Sequence, residues 1–199
     1  MAVVGLSGLK GAGKDEAAKP LIEQGWKKLA FADPLREMLY TLNPIVKMGP
    51  PMERAFAPMG QRQEYTRWQE YLDVVGYDEA KKHTEVRRLM QVFGTDVMRE
   101  MYRQDAWVDL AERTIEADPY QDWVLTDVRF DDEAEMVRRQ GGCMIRIQRN
   151  GLVADGHQSE EGVRDDLVDV IMPNNGTVDS LHRQMRSVVD LVGQLRRAE

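Results

Sequence analysis

A glycine-rich turn constrains this chain more than any other feature. Ala2-Val3-Val4-Gly5-Leu6-Ser7 has the apolar character of a short buried strand, and it runs directly into Gly8-Leu9-Lys10-Gly11-Ala12-Gly13-Lys14-Asp15. The second segment fits G-x-x-x-x-G-K, with Asp where Ser or Thr ordinarily follows the lysine. Glycines at Gly8, Gly11 and Gly13 let the backbone turn sharply, so that several N–H groups, that of Ala12 among them, converge on one point. A helix predicted from about Gly13 to Gln24 aims its positive dipole end at the same place. Such a turn is a cradle for phosphate, and Lys14 is placed to reach the outer phosphates of a nucleotide. Asp15 admits two readings: a carboxylate ligand for Mg²⁺ or its bound water, or an acid favoured at a helix start by the dipole.

The rest of the chain alternates strand and helix patterns. Strands are expected at 27–32, 122–127, 143–148 and 167–172. Helices are expected from Asp33-Pro34 to Leu42, over 84–103, over 105–117, from Asp131 or Asp132 to Gln140, and after the Asn175-Gly176 turn. Asp33 reads as an N-cap with Pro34 at the first helical position. Alternation of this kind implies an α/β fold, a parallel sheet with helices on both faces. Residues 43–60 hold four prolines and three methionines and read as a loop leaving the sheet, and 61–83 is helical in composition but weakly patterned. Residues 149–166 are polar and carry Gly151, Gly156 and Gly162. The expectation is one domain over 1–199, with a helical insertion at about 43–104 and a mobile segment at about 149–166.

Bulk properties narrow the function. A chain of 199 residues with 42% hydrophobic and 31% charged residues suits one globular domain, and its net charge of −7 argues against binding nucleic acid along the backbone. A nucleotide needs only a local basic cleft. Cys143 is the sole cysteine, so no intrachain disulfide forms, which fits a reducing compartment. No apolar run is long enough to span a membrane, and the N-terminus lacks the pattern of a signal peptide. The expected location is cytoplasmic, with no membrane partner.

Two further groups of residues carry chemistry. Leu125-Thr126-Asp127-Val128-Arg129-Phe130 ends a predicted strand on an acid, and ligands in open α/β sheets sit at the carboxyl ends of strands. Asp127 is thereby placed to face phosphates or their metal, and Arg129 to clamp a phosphate. In the predicted helix over 84–103, Val86, Leu89, Phe93, Val97 and Met101 form an apolar stripe, with Arg88, Gln91, Thr95 and Arg99 opposite. The polar face reads either as solvated or as a binding surface. Gly94 in mid-helix costs about 1 kcal/mol against Ala and calls for a packing or functional reason.

With these segments assembled, the chain resembles the phage-type deoxynucleoside monophosphate kinases, within the larger group of P-loop nucleoside and small-molecule kinases. The resemblance covers nearly the whole chain. It rests on GLSGLKGAGKDE (5–16), FADPLRE (31–37), RRLMQVFGTDVMRE (87–100) with DAWVD (105–109), LTDVRF (125–130), HQSE (157–160) and NNGT (174–177). It implies a P-loop kinase core that uses ATP and Mg²⁺ to phosphorylate deoxynucleoside monophosphates. Lys14 and the loop amides would hold ATP, with Arg149 and His157 in a lid over 149–166 and Asn175 on the adenine side. Asp33, Arg36, Arg88, Gln91, Thr95, Arg99 and Trp107 would meet the monophosphate. Arg129 would neutralise charge near the acceptor, and Asp15 and Asp127 would serve the metal. Glu16 departs from the family pattern, which has Thr after the Asp. The partners implied are small nucleotides; a homodimer is compatible with the pattern, and a phage-encoded chain would work in host cytoplasm. Phosphomevalonate and dephospho-coenzyme A kinases share parts of the layout, and a P-loop regulator without transferase activity is the rival outside enzymes.

Overall fold

The computed structural model describes residues 1–46, 65–153 and 162–197, with side chains described as far as residue 191. Most of the expected loop at 43–60, and the segment 157–160 with His157, lie outside the described residues. The chain separates into two compact units, one of Met1–Phe31 with Trp107–Glu199 and one of Ala32–Ala106.

The first unit is built on a five-stranded sheet. Its strands are β1 (Val3–Ser7), β2 (Lys27–Leu29), β5 (Trp123–Leu125), β6 (Cys143–Gln148) and β7 (Val170–Pro173), in the order β2-β5-β1-β6-β7, and every pairing is parallel. β1 is central and buried at every residue, which is why its sequence is a continuous apolar run rather than an alternating one. Its side chains still divide by face. Val4 and Leu6 share a core with Cys143, Ile145 and Ile147 of β6, with Ala17, Ala18 and Leu21 of α1 (Lys14–Ile22), and with Leu181 and Met185 of the closing helix α8 (Val178–Arg197). On the other face, Gly5 leaves room for Met144 and for Val137 of α7 (Asp131–Arg139). Helices therefore cover both faces, as the alternation of elements requires. Burial falls off along α8. Leu181 and Met185 are buried, but Leu191 is 57% exposed.

The C-terminal end of the expected lid is tied down. Arg146 on β6 holds Asp165 and the Val163 carbonyl, and Arg138 on α7 donates to the Asp166 carbonyl at 3.0 Å. Arg164 pairs with Asp131 at 3.2 Å and its backbone N–H donates to the same carboxylate. A 3-10 turn at Asp165–Leu167 then leads into β7, which starts at Val170 rather than at 167.

The second unit contains α2 (Asp33–Leu42), the two-residue strands β3 (Ile45–Val46) and β4 (Thr66–Arg67), and the helices α3 (Trp68–Val75), α4 (Tyr77–Ala80) and α5 (Thr84–Gln91). β3 and β4 pair antiparallel, a contact the sequence does not signal because each strand is only two residues long. The start of α2 differs from expectation by one residue. Ala32 is the N-cap, Asp33 is the first helical residue and Pro34 the second, and the Asp33 carboxylate accepts from Arg36 at 2.8 Å.

After Gln91 the helix changes type. Val92–Tyr102 is π-helical, and the wider i→i+5 pattern continues in the bond from Arg103 N–H to Met98 O, 2.9 Å. Side chains spaced for an α-helix drift around the axis in a π-helix. The apolar stripe accordingly fails at its last member: Val86 is buried, whereas Met101 is 79% exposed. Gly94 finds its reason in packing, since a Cβ there would stand 3.0 Å from Leu35 Cδ2 of α2.

Candidate active site

The turn after β1 is shaped by contacts that only glycine permits. Gly8, Gly11 and Gly13 have φ values of 132°, 82° and 102°, which disfavour any residue with a Cβ. At Gly8 a Cβ would also collide with the Ile147 carbonyl oxygen of β6, and at Gly13 it would come within 2.5 Å of Asn174 Nδ2. The turn closes on itself through Ala12 N–H to Leu9 O, 3.1 Å. Asn174 pins it from outside: its Nδ2 donates to Ala12 O at 2.8 Å while its backbone N–H donates to Gln148 O at 2.6 Å. Asn175 accepts from the Asn150 N–H at 2.8 Å, so this side chain supports the strand ends around the cradle. Arg149, one residue past β6, is exposed.

Gly13 is the N-cap of α1, and Lys14 is its first residue. The Lys14 ammonium donates to Gly8 O at 2.5 Å and to Leu9 O at 3.0 Å, so the cation lies against the inner rim of the turn. A phosphate in the cradle offers it a stronger, charged acceptor in place of neutral carbonyls.

The next two residues have divided roles. The Asp15 carboxylate is 76% exposed and pairs with Lys28 of β2 at 2.6 Å. Glu16 turns to the closing helix instead. It accepts from Lys19 at 2.6 Å, and its carboxylate and backbone oxygens each lie 3.0 Å from His182 Nε2. The Lys19 ammonium, and after it His182, hold the Glu16 carboxyl below the usual range against the opposing effect of partial burial. Glu16 is thus a tie between α1 and α8, which accounts for a side chain that the sequence alone left without a role.

Asp127 stands two residues beyond the end of β5. Its Oδ1 accepts the Phe31 N–H at 2.8 Å, and the neighbouring Val128 N–H donates to Leu6 O at 3.1 Å. The acid is therefore fixed at the carboxyl edge of the sheet. Arg129 follows with an exposed side chain. Its backbone is held by Glu133, which is 3% exposed and whose Oε2 accepts both the Arg129 N–H at 2.7 Å and the Phe130 N–H at 3.2 Å. Glu133 serves the start of α7 from the third helical position in the manner of half a capping box, and Asp132 Oδ1 accepts the Glu133 N–H at 3.0 Å. The spacing of three residues between Phe130 and Glu133 is the sequence sign of this arrangement.

Among the described residues no group of three or more His, Cys, Asp or Glu side chains gathers in the way a dedicated protein metal cage would. Asp15 and Asp127 nevertheless fit Mg²⁺, which is ordinarily held by one or two carboxylates and draws its other ligands from substrate phosphates and water.

The second unit carries the other expected binding residues. Arg36 donates to Asp33 at 2.8 Å, and its guanidinium carbon lies 4.5 Å from the centre of the Tyr77 ring. Arg88 is gripped at two points by Glu85, at 2.8 and 2.7 Å, which holds the guanidinium charged still more firmly than usual. Arg99 donates to Gln104 O at 3.3 Å. Gln91 is exposed, whereas Thr95 and Arg99 are half-buried because the π-helix turns them away from the line that Arg88 and Gln91 begin. Trp107, which belongs to the first unit, is 5% exposed at the start of α6 (Ala106–Glu116).

Comparison with known proteins agrees with these features. A family model described as deoxynucleotide monophosphate kinase matches residues 46–185. A protein of Acanthamoeba polyphaga mimivirus, provisionally described as a deoxynucleotide monophosphate kinase, is 29% identical over 210 residues, covering 98% of this chain and 100% of that one. The deoxynucleotide monophosphate kinase of Escherichia phage RB69 is 28% identical over 131 residues, and that of Enterobacteria phage T4 is 29% identical over 111. These matches span about half of each phage protein, 53% and 46%. Among solved structures, a dephospho-CoA kinase from Campylobacter jejuni superposes with a TM-score of 0.51 over 98% of both chains at 12% identity, a likeness of fold alone. No helix among the described residues is long and apolar enough to cross a membrane.

The cradle geometry makes a direct prediction. Gly8→Ala combines a strained φ with a backbone collision that β6 cannot relieve without breaking its pairing, so it lowers unfolding stability by about 2–4 kcal/mol. Urea denaturation measures this, and an unchanged midpoint contradicts the close approach of the turn to Ile147.

Proposed function

The chain belongs to the deoxynucleotide monophosphate kinase family, and from that membership we propose how its own residues move the γ-phosphate of ATP onto a deoxynucleoside monophosphate. The observation that carries the proposal is the first unit's cradle: a turn whose φ values favour glycine, the start of α1 directly after it, and Lys14 on its rim. An oxygen of the acceptor phosphate attacks the γ-phosphorus, the bond from that phosphorus to the β–γ bridging oxygen breaks, and ADP leaves with the electron pair. The acceptor is already an anion, so no strong general base is needed, and catalysis rests on positioning and charge neutralisation.

Lys14 exchanges the Gly8 and Leu9 carbonyls for the outer phosphates and neutralises charge that builds on the leaving ADP. The loop amides bind non-bridging oxygens. Asp15 and Asp127 are the residues suited to hold Mg²⁺ beside the phosphates, and the ion supplies charge neutralisation there when bound. Arg129 is assigned to the acceptor, because it follows the strand-end acid on a backbone fixed by Glu133. In the second unit, Arg36, Arg88 and Arg99, with Asp33, Gln91 and Thr95, are assigned to the monophosphate. Arg88 takes part by exchanging Glu85, which holds its Nε and Nη2, for substrate, or by presenting its other edge.

Lys14→Ala lowers kcat for monophosphate-dependent ATP turnover by about 10²–10³, the ordinary cost of deleting one preorganised charge at a transition state. Near-normal turnover in a folded variant contradicts the role of the cradle. The Asp15–Lys28 pair makes a second test. Lys28 competes with Mg²⁺ for the same carboxylate, and an exposed pair is worth at most about 1 kcal/mol, so Lys28→Met lowers the Mg²⁺ concentration for half-maximal rate by up to about fivefold. Asp15→Asn raises it. A magnesium titration in which neither variant moves the midpoint removes Asp15 from the metal site.

A further inference from the structure

Tyr77 is the first residue of α4 and is half-buried. Nothing in the sequence marks it, yet it joins three helices of the second unit. Its ring lies against the Arg36 guanidinium of α2 at 4.5 Å, and its hydroxyl donates to Met90 Sδ of α5 at 3.4 Å. A second cation, Lys81 Nζ, stands 5.7 Å from the same ring but is committed to Asp78 at 2.5 Å. Arg36 is thus the ring's principal charged neighbour.

We propose that Tyr77 is a positioning residue for the acceptor monophosphate, acting through Arg36. The proposal rests on the assignment of Arg36 to that phosphate. A guanidinium has two chemically distinct directions: its face is attracted to an aromatic ring, while its N–H donors lie in its plane. A ring on the face therefore orients the group without consuming the fork that grips a phosphate. Asp33 fixes one edge of the same group through Nη1 at 2.8 Å. The Arg36 side chain remains 39% exposed, and an arginine so exposed would otherwise lose much rotamer freedom on binding. Stacked on Tyr77 and hydrogen-bonded to Asp33, it is ordered before substrate arrives, which lowers the cost of binding. The hydroxyl bond to Met90 in turn fixes the ring, and it ties the orientation of Arg36 to the helix that carries Arg88.

The test is steady-state kinetics on Tyr77→Leu, Tyr77→Met, Tyr77→Phe and Arg36→Ala, with the Tyr77→Leu/Arg36→Ala double variant and a melting curve for each. Loss of the ring raises KM for the deoxynucleoside monophosphate about threefold to tenfold, the scale of one cation–π contact, and leaves KM for ATP unchanged. Tyr77→Phe keeps the ring but loses its tie to Met90, and raises the monophosphate KM by less than either ringless variant. In the Arg36→Ala background, Tyr77→Leu has no further effect. Tyr77→Met repeats the test with a bulky side chain should the leucine variant fold poorly. If Arg36→Ala raises the monophosphate KM while neither ringless variant does, the positioning role is wrong and the assignment of Arg36 stands. If Arg36→Ala leaves that KM unchanged, the assignment of Arg36 itself fails, and the proposal fails with it. Equal rises in both KM values alongside a lowered melting temperature mean that Tyr77 only supports the fold.

Discussion

The close passage of the glycine turn against β6 is the contact on which the nucleotide half of this protein depends. Gly8 packs so near the Ile147 carbonyl that no side chain fits, and Asn174 reaches over from the end of β7 to hold the Ala12 carbonyl. These two restraints set the direction in which the turn's amides point and the place where α1 begins. Lys14 and Asp15 inherit their positions from that start. The parallel order of the sheet then brings the end of β5, and with it Asp127, to the same edge as the end of β1. A binding site assembled from backbone at the edge of a sheet is rigid, which suits a reaction governed by positioning.

The acidic balance of the chain is compatible with binding anions because the charges are paired locally. Arg36, Arg88 and Lys28 each rest on a nearby carboxylate, respectively Asp33, Glu85 and Asp15. Such exposed pairs contribute little to stability. Their consequence is functional, since each cation is held ready and can trade a weakly held carboxylate for a phosphate or a metal-bound partner. Glu16 is the exception, with its carboxylate engaged by both Lys19 and His182, and it serves the packing of α1 on α8.

Much of the core was legible because its signals are local and strong. The continuous apolar run of β1, the shorter apolar run that opens β6, the glycine turn and the acid at the end of β5 have few other structural explanations. What was missed had weaker or non-local causes. The π-helix at Val92–Tyr102 has the composition of an α-helix, and Phe93, Val97 and Met101 match α spacing by sequence alone, so only the hydrogen-bond pattern exposes the change. Asp33 and Pro34 fit a helix start in two registers one residue apart. Trp107 is buried, which its own sequence neighbourhood does not announce. Tyr77 has no motif, because what marks it is the arginine brought to its face from another helix. Burial of Glu133 at a helix start likewise depends on α7 packing against β1 and β6, although its spacing from Phe130 was a usable sign.

The central claim is that the γ-phosphate of ATP passes to a deoxynucleoside monophosphate rather than to water or another acceptor. Its most direct test follows labelled γ-phosphate from MgATP in the presence of each of the common ribo- and deoxyribonucleoside monophosphates in turn, with dephospho-coenzyme A and phosphomevalonate as controls. The account predicts label in one or more deoxynucleoside diphosphates and little in free phosphate. Label in either control acceptor, or in inorganic phosphate alone regardless of the monophosphate added, would contradict it.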